Sequence, residues 1–346
     1  MRMKTKILKK YVNPVMTTLV ALIMFSTGQT DAYAQNYMTQ MHQPARNTVY
    51  ESKLRHQVAF LSDTICGGRA TGTRGNVEAA CWLQREFSKI GLLKFGDSYA
   101  KRIYAGQGKI GRNIMGMLPG SNHFPKKQYV IVGAHFDHLG ELDGRLYPGA
   151  DANASGTVAL VNLAKMLSTT RMIGKSHDSN VIFVAFDGRE HDLAGSRALW
   201  RMIENGELLD PQTGNPITRK QIALMVNIDQ IGSTMSPLKS GREDYIIMLG
   251  TESLKPIKRD LLDACNRMFA IDMDIDLTYY GSENFTKVFY RLSDQRVFVE
   301  NGIPAVLFTS GITMNTNKTR DNAESINLEI LRKRIYLIYH WLDKML

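Results

Sequence analysis

Two spacings of apolar residues alternate along this chain. Tyr129–Val132, Val181–Phe186, Ile222–Ile228, Tyr245–Leu249 and Ile303–Phe308 are short, largely apolar runs rich in β-branched residues. Strands buried on both faces of a sheet read this way. Between them, Ser155–Leu167, Asp192–Asn205, Ser253–Phe269 and Ser325–Leu346 repeat apolar residues every three or four positions, the period of a helix with one inward face. Earlier in the chain, Val49–Leu93 reads as helical at both ends around a GGRATGTRG loop, Tyr99–Leu118 as strand-rich, and Asp272–Gln295 as loop-rich. The alternation predicts an α/β fold of three layers, helix/sheet/helix, around a mixed, mostly parallel central sheet.

The amino terminus breaks the pattern. Arg2, Lys4, Lys6, Lys9 and Lys10 precede the apolar stretch Thr18–Phe25, and Ala32-Tyr33-Ala34 supplies a small-x-small cleavage pattern. Residues 1–34 are therefore expected to be a signal peptide, 35–43 a loose tail, and 44–346 one domain that is exported to the periplasm or the exterior. No stable membrane insertion is expected once the leader is removed, because its apolar run is too short for a span.

Charge then changes the picture little. The chain carries a formal +10, but the leader holds five of the 43 Lys/Arg and one of the 33 Asp/Glu, which leaves +6 spread over the remainder. No nucleic-acid motif accompanies it, so nothing in the sequence supports a polyanion partner, and no nucleic acid is expected. Cys66, Cys81 and Cys265 contain no CxxC pair, which argues against a thiolate metal site. Cys66 and Cys81 read either as a disulfide or as small buried side chains.

The candidate chemistry sits where strands end. His135, Asp137, Asp151, Asp187, Glu190 and Asp229 follow independent strands, and parallel strands carry their carboxyl ends to one rim. Imidazole and carboxylates without thiolates suit a hydrolytic zinc site, with Asp137 placed to orient His135 through its second ring nitrogen.

GAHFDHLG, GADANASG, VIFVAFDGREHDLAGS and NIDQIG, with LSDTICGGRATGTRG before them and LSDQRVFVENGIPAVLF after, resemble in order the motifs of the co-catalytic zinc aminopeptidases. That family includes bacterial leucyl aminopeptidases and, more distantly, glutamate carboxypeptidase and glutaminyl cyclases. The resemblance spans about residues 55–325. It implies zinc held by His135, Asp151 and Asp229, with Asp151 bridging to a second ion on Glu190 and a late His. It further implies a Glu just before Glu190 as general base, and hydrolysis of peptides from the amino end.

The chain departs from that pattern at three positions. Arg189 stands where the base is expected, and a guanidinium stays protonated at any working pH. Asn317 stands where the late His is expected and is a poor zinc ligand, and Gln295 follows Ser293-Asp294 where a His is frequent. A unit charge about 5 Å from a metal is worth roughly 3 kcal/mol at an effective dielectric near 20, so Arg189 disfavours a second ion. The expectation is one zinc ion and a metallopeptidase-like hydrolase with an impaired site, His191 or Glu141 being the nearby proton acceptors. The alternative is an inactive relative that binds peptides or a partner protein. Oligomeric state is left open.

Overall fold

The computed structural model describes residues 40–121, 128–238 and 241–346 of the chain; the expected leader lies outside them. In chain order the regular elements are α1 (Glu51–Ser62), α2 (Arg74–Ile90), β1 (Ala100–Tyr104), β2 (Ile110–Leu118), β3 (Tyr129–His135), β4 (Gly140–Leu142), β5 (Arg145–Tyr147), α3 (Gly156–Met172), β6 (Asn180–Phe186), α4 (Ala194–Glu204), β7 (Ile222–Ile228) and β8 (Tyr245–Leu249). They continue with α5 (Pro256–Arg259), α6 (Leu261–Met268), β9 (Asp274–Asp276), α7 (Glu283–Phe289), α8 (Gln295–Glu300), β10 (Ala305–Thr309) and α9 (Leu328–Met345).

The strands form an eight-stranded sheet in the order β1-β2-β6-β3-β7-β10-β8-β9. Its centre, β6-β3-β7-β10, is parallel, while β2 runs against β6 and β8 against β10. The apolar runs explain this placement. Every residue of β3 and of β6 is buried, and alternate side chains enter different cores. Val130, Val132, Val181, Phe183, Leu224 and Val226 pack with α1, α2, α3 and α9 on one face. Ile131, Ile182, Val184, Phe186 and Met225 pack with α4 and α8 on the other. A period of two over a doubly covered sheet gives the three expected layers.

Local chemistry sets several boundaries. Thr73 caps α2, its hydroxyl accepting from the Asn76 amide at 3.3 Å, and Gly91 ends that helix at φ +81°, a conformation glycine adopts without strain. The helix expected over Ser253–Phe269 is instead divided: Pro256 opens a short α5, and α6 starts at Leu261. The loop-rich stretch Asp272–Gln295 contains β9 and α7. Of the expected 35–43 tail, residues 40–43 belong to a helical stretch, 40–46, in which His42 is buried, and the rest lies outside the described residues. Cys66 and Cys81 are free thiols, so the alternative of small unbridged side chains holds.

Candidate functional site

The carboxyl ends of β3, β6 and β7 meet at one rim and deliver His135, the Asp187–Glu190 turn and Asp229 there. His135 Nε2 lies 3.3 Å from Asp229 Oδ1. Both are buried, at 2% and 5% exposure, so the pair works in a weakly screened environment. Burial opposes charge on Asp229, yet His135 and then Arg189 outweigh it and hold the carboxyl below its usual range. On His135, burial likewise lowers the pKa but Asp229 more than offsets it, leaving the imidazole above its usual value.

Asp137 orients His135 by a different atom than expected. Its backbone carbonyl lies 3.1 Å from Nδ1, while its carboxylate is 3.8 Å away. That carboxylate accepts instead from the Glu190 amide at 3.2 Å, and burial followed by Asp187 pushes its pKa up to about 7. Asp187 is a structural hub: it accepts from Thr71 Oγ1 at 2.7 Å, Asn76 Nδ2 at 3.0 Å and the Arg112 amide at 2.8 Å.

The other expected ligands have partners of their own. Asp151 Oδ1 accepts from the Gly232 amide at 2.7 Å and from Ser155 Oγ at 3.1 Å, leaving Oδ2 buried without a partner. Glu190 Oε1 accepts from Arg189 Nη1 at 2.7 Å. Asn317 is exposed, at φ +58°. Among the described residues no three His, Cys, Asp or Glu side chains form a group that could hold a metal ion. The reason is visible in the pairings: His135 and Asp229 engage each other, Asp151 is turned to backbone amides, and Glu190 is engaged by the cation next to it.

Arg189 is central to that arrangement. Burial works against its charge, but Asp229 and Glu190 raise its pKa further, so it is a permanent cation. With Asp229 it lines a cavity of about 30 Å³ whose apolar wall includes Tyr279, Phe289, Leu292 and Leu307. Tyr279 and Phe289 are stacked at 3.7 Å. A larger hollow of about 340 Å³ lies at the opposite rim, by Gln128, Leu224 and Pro304, and contains none of these polar groups.

Several further residues brace the site. Asn153 Nδ2 donates to the carbonyls of His135 (3.2 Å) and Ile228 (2.9 Å), joining the ends of β3 and β7. Buried Arg69 donates to the carbonyls of Phe136 (2.7 Å), Pro148 (2.8 Å) and Gly149 (2.7 Å). Asp321 accepts from the amides of Asp151 (2.8 Å) and Ala152 (3.1 Å). Asp294 is fully buried with neither carboxylate oxygen hydrogen bonded, and burial raises its pKa. His138 is buried with both ring nitrogens unpartnered. The signal for Asn153, Arg69 and Asp294 was membership of the motifs GADANASG, GGRATGTRG and LSDQRVF. Gln295 accepts at Oε1 from Asn227 Nδ2 at 2.8 Å and so ties β7 to the start of α8. His191 is half-buried beside Lys109, and Glu141 is exposed; neither reaches the His135–Asp229 pair by any hydrogen bond.

A model of peptidase family M28 matches residues 113–342. The chain belongs to this family. Leucine aminopeptidase 1 of Aspergillus fumigatus is 26% identical to this M28 chain over 251 residues, covering 70% of it and 57% of the relative. The M28 chain thus spans little more than half the length of that curated relative. Its fold is that of LapB from Legionella pneumophila, with a TM-score of 0.65 at 17% identity, covering 88% of this chain and 74% of the other. BSAP, a zinc aminopeptidase from Bacillus subtilis, gives a TM-score of 0.61 at 13% identity, covering 85% and 95%. The M28 match begins at residue 113, so the GGRATGTRG segment lies outside it. Among the described residues no helix of this M28 chain is long and apolar enough to cross a membrane.

Proposed function

We propose that this M28 chain is an exported protein that binds peptides by their amino-terminal residues at the carboxyl rim of its sheet, and that its hydrolytic centre is impaired in both base and metal. The observation that carries this reading is the Arg189–Glu190 contact of 2.7 Å beside Asp229. One guanidinium removes the proton acceptor and engages the carboxylate that a second ion would need. What remains suits recognition. Arg189 donates to a main-chain carbonyl oxygen, Asp229 faces an ammonium, and an apolar side chain enters between Tyr279, Phe289 and Leu307. A cavity of 30 Å³ holds no more than a water or so, so Leu292 and Ile312, both exposed at its wall, move to admit a side chain.

A second reading, a single-zinc hydrolase, is favoured by one observation: Asp151 Oδ2 is buried and unpartnered, as a carboxylate lacking its cation would be. In that case His135, Asp151 and Asp229 are the holders, and the ion supplies an acidified water.

Elemental analysis of the purified protein and turnover of a panel of aminoacyl anilides separate the two. The first reading expects no stoichiometric zinc and no cleavage. Cleavage by the unmodified protein that a chelator abolishes would overturn it in favour of the second.

A further inference from the structure

Away from the site, the amino-terminal segment is held to α9 by a buried polar cluster. His42 Nδ1 lies 3.0 Å from the Tyr339 hydroxyl, and His42 Nε2 lies 3.7 Å from Asp343 Oδ2. Asp343 Oδ1 accepts from His177 Nε2 at 2.9 Å, and its Oδ2 accepts from Lys175 Nζ. The His42 ring packs edge-on against Phe269 (5.2 Å) and His340 (5.1 Å), and His340 is stacked on Phe269 at 3.6 Å with neither ring nitrogen hydrogen bonded. Two further contacts extend the attachment: Tyr336 Oη donates to the carbonyls of Arg46 and Val49, and the Arg46 guanidinium lies 4.6 Å over the Tyr336 ring. Ala45 and Val49 are buried beneath.

This geometry accepts a neutral His42. The Tyr339 hydroxyl stands between His42 Nδ1 and Thr170 Oγ1, the latter 2.6 Å away, and His42 is buried at 4% exposure. Protonation adds a positive charge to this buried ring, in a pocket whose carboxylate is already engaged by Lys175 and His177. The groups facing His42 are Tyr339, His340, Asp343 and Lys344 from α9, Lys175 and His177 from the turn after α3, and Arg46 one helical turn on. Only Asp343 among them is an anion.

We propose that His42 and Asp343 form an acid-released clasp, which holds residues 40–49 against α9 near neutral pH and lets that segment detach on acidification while the sheet stays folded. Burial keeps His42 below its usual value of 6.5 and pushes His340 down to about 2. A base with a depressed folded pKa contributes no penalty above 6.5 and a growing one as pH falls below it, which is the direction of release. Asp343, down to about 2 because its cationic partners outweigh burial, stays ionised through that window.

Hydrogen exchange of the full chain at pH 7.5 and 5.0, corrected for the chemical exchange rate, tests this. Protection across residues 42–49 should fall about tenfold or more at pH 5.0 while β3 and β6 keep theirs. In His42→Phe, which keeps the ring packing and removes the titration, the pH step should vanish. A wild type without the step, or a variant that retains it, overturns the proposal. Should the variant not fold at pH 7.5, NMR titration of the wild-type His42 ring decides: an apparent pKa at or above 6.5 overturns the clasp, and one below it supports the clasp.

Discussion

Arg189 shows how far one side chain redirects a site. Its charge is balanced by Asp229 and Glu190 rather than by bulk water, so the rim contains a fixed cation in every protonation state. The His135–Asp229 pair carries the pH dependence. His135 is raised above 6.5, so its contribution is complete below 6.5 and disappears as pH rises through its folded value; Asp229 is lowered below 3.8, so its contribution is present above 3.8. The pair therefore stabilises most between about pH 4 and 6.5. Asp229→Asn should cost about 3 kcal/mol in that window by leaving a buried imidazolium unpaired. Thermal midpoints measured from pH 4 to 9 check it: the gap from wild type should narrow above neutrality, and a constant gap would disprove the linkage.

At the scale of elements, the corner between β6 and α4 places Arg189 and Glu190. Asn113 on β2 holds that corner from both sides, donating to the Gly195 carbonyl at 2.8 Å and accepting from the Asp187 amide at 3.1 Å. Gly195 is required by close approach: a Cβ there would sit 2.3 Å from the Asp187 carbonyl oxygen and 2.5 Å from Asn113 Oδ1. Because the first of these atoms is backbone, the strain has no flexible side chain to absorb it. Gly195→Ala should destabilise by about 1–3 kcal/mol, read as a lower urea midpoint with unchanged slope. Elements such as β3 and β6 were legible from sequence because burial on both faces leaves a continuous apolar run. The division between α5 and α6 was not, since Pro256 also fits the first position of a longer helix.

Over the whole molecule, Arg69 joins parts of the chain that periodicity cannot relate. It is fully buried and donates to carbonyls of the loop after β3 and of the segment before Asp151, as well as to Leu61 at the end of α1. Arg69→Leu leaves those carbonyls unpaired and should cost roughly 3 kcal/mol or more, measurable as a shift of the urea midpoint; a loss under about 1 kcal/mol would show that water replaces the guanidinium. Sequence by itself determined the layered α/β architecture, the burial of the central strands and the rim to which β3, β6 and β7 bring His135, Glu190 and Asp229. Those follow from apolar spacing, strand direction and motif order, which are properties of chain segments. Only the tertiary structure decided which atoms pair at that rim: Asp229 with His135, Glu190 with Arg189, Asp151 with the Gly232 amide, and Asn317 left outside. Pairing depends on distances of an ångström or less between residues far apart in the chain, and no local pattern encodes it.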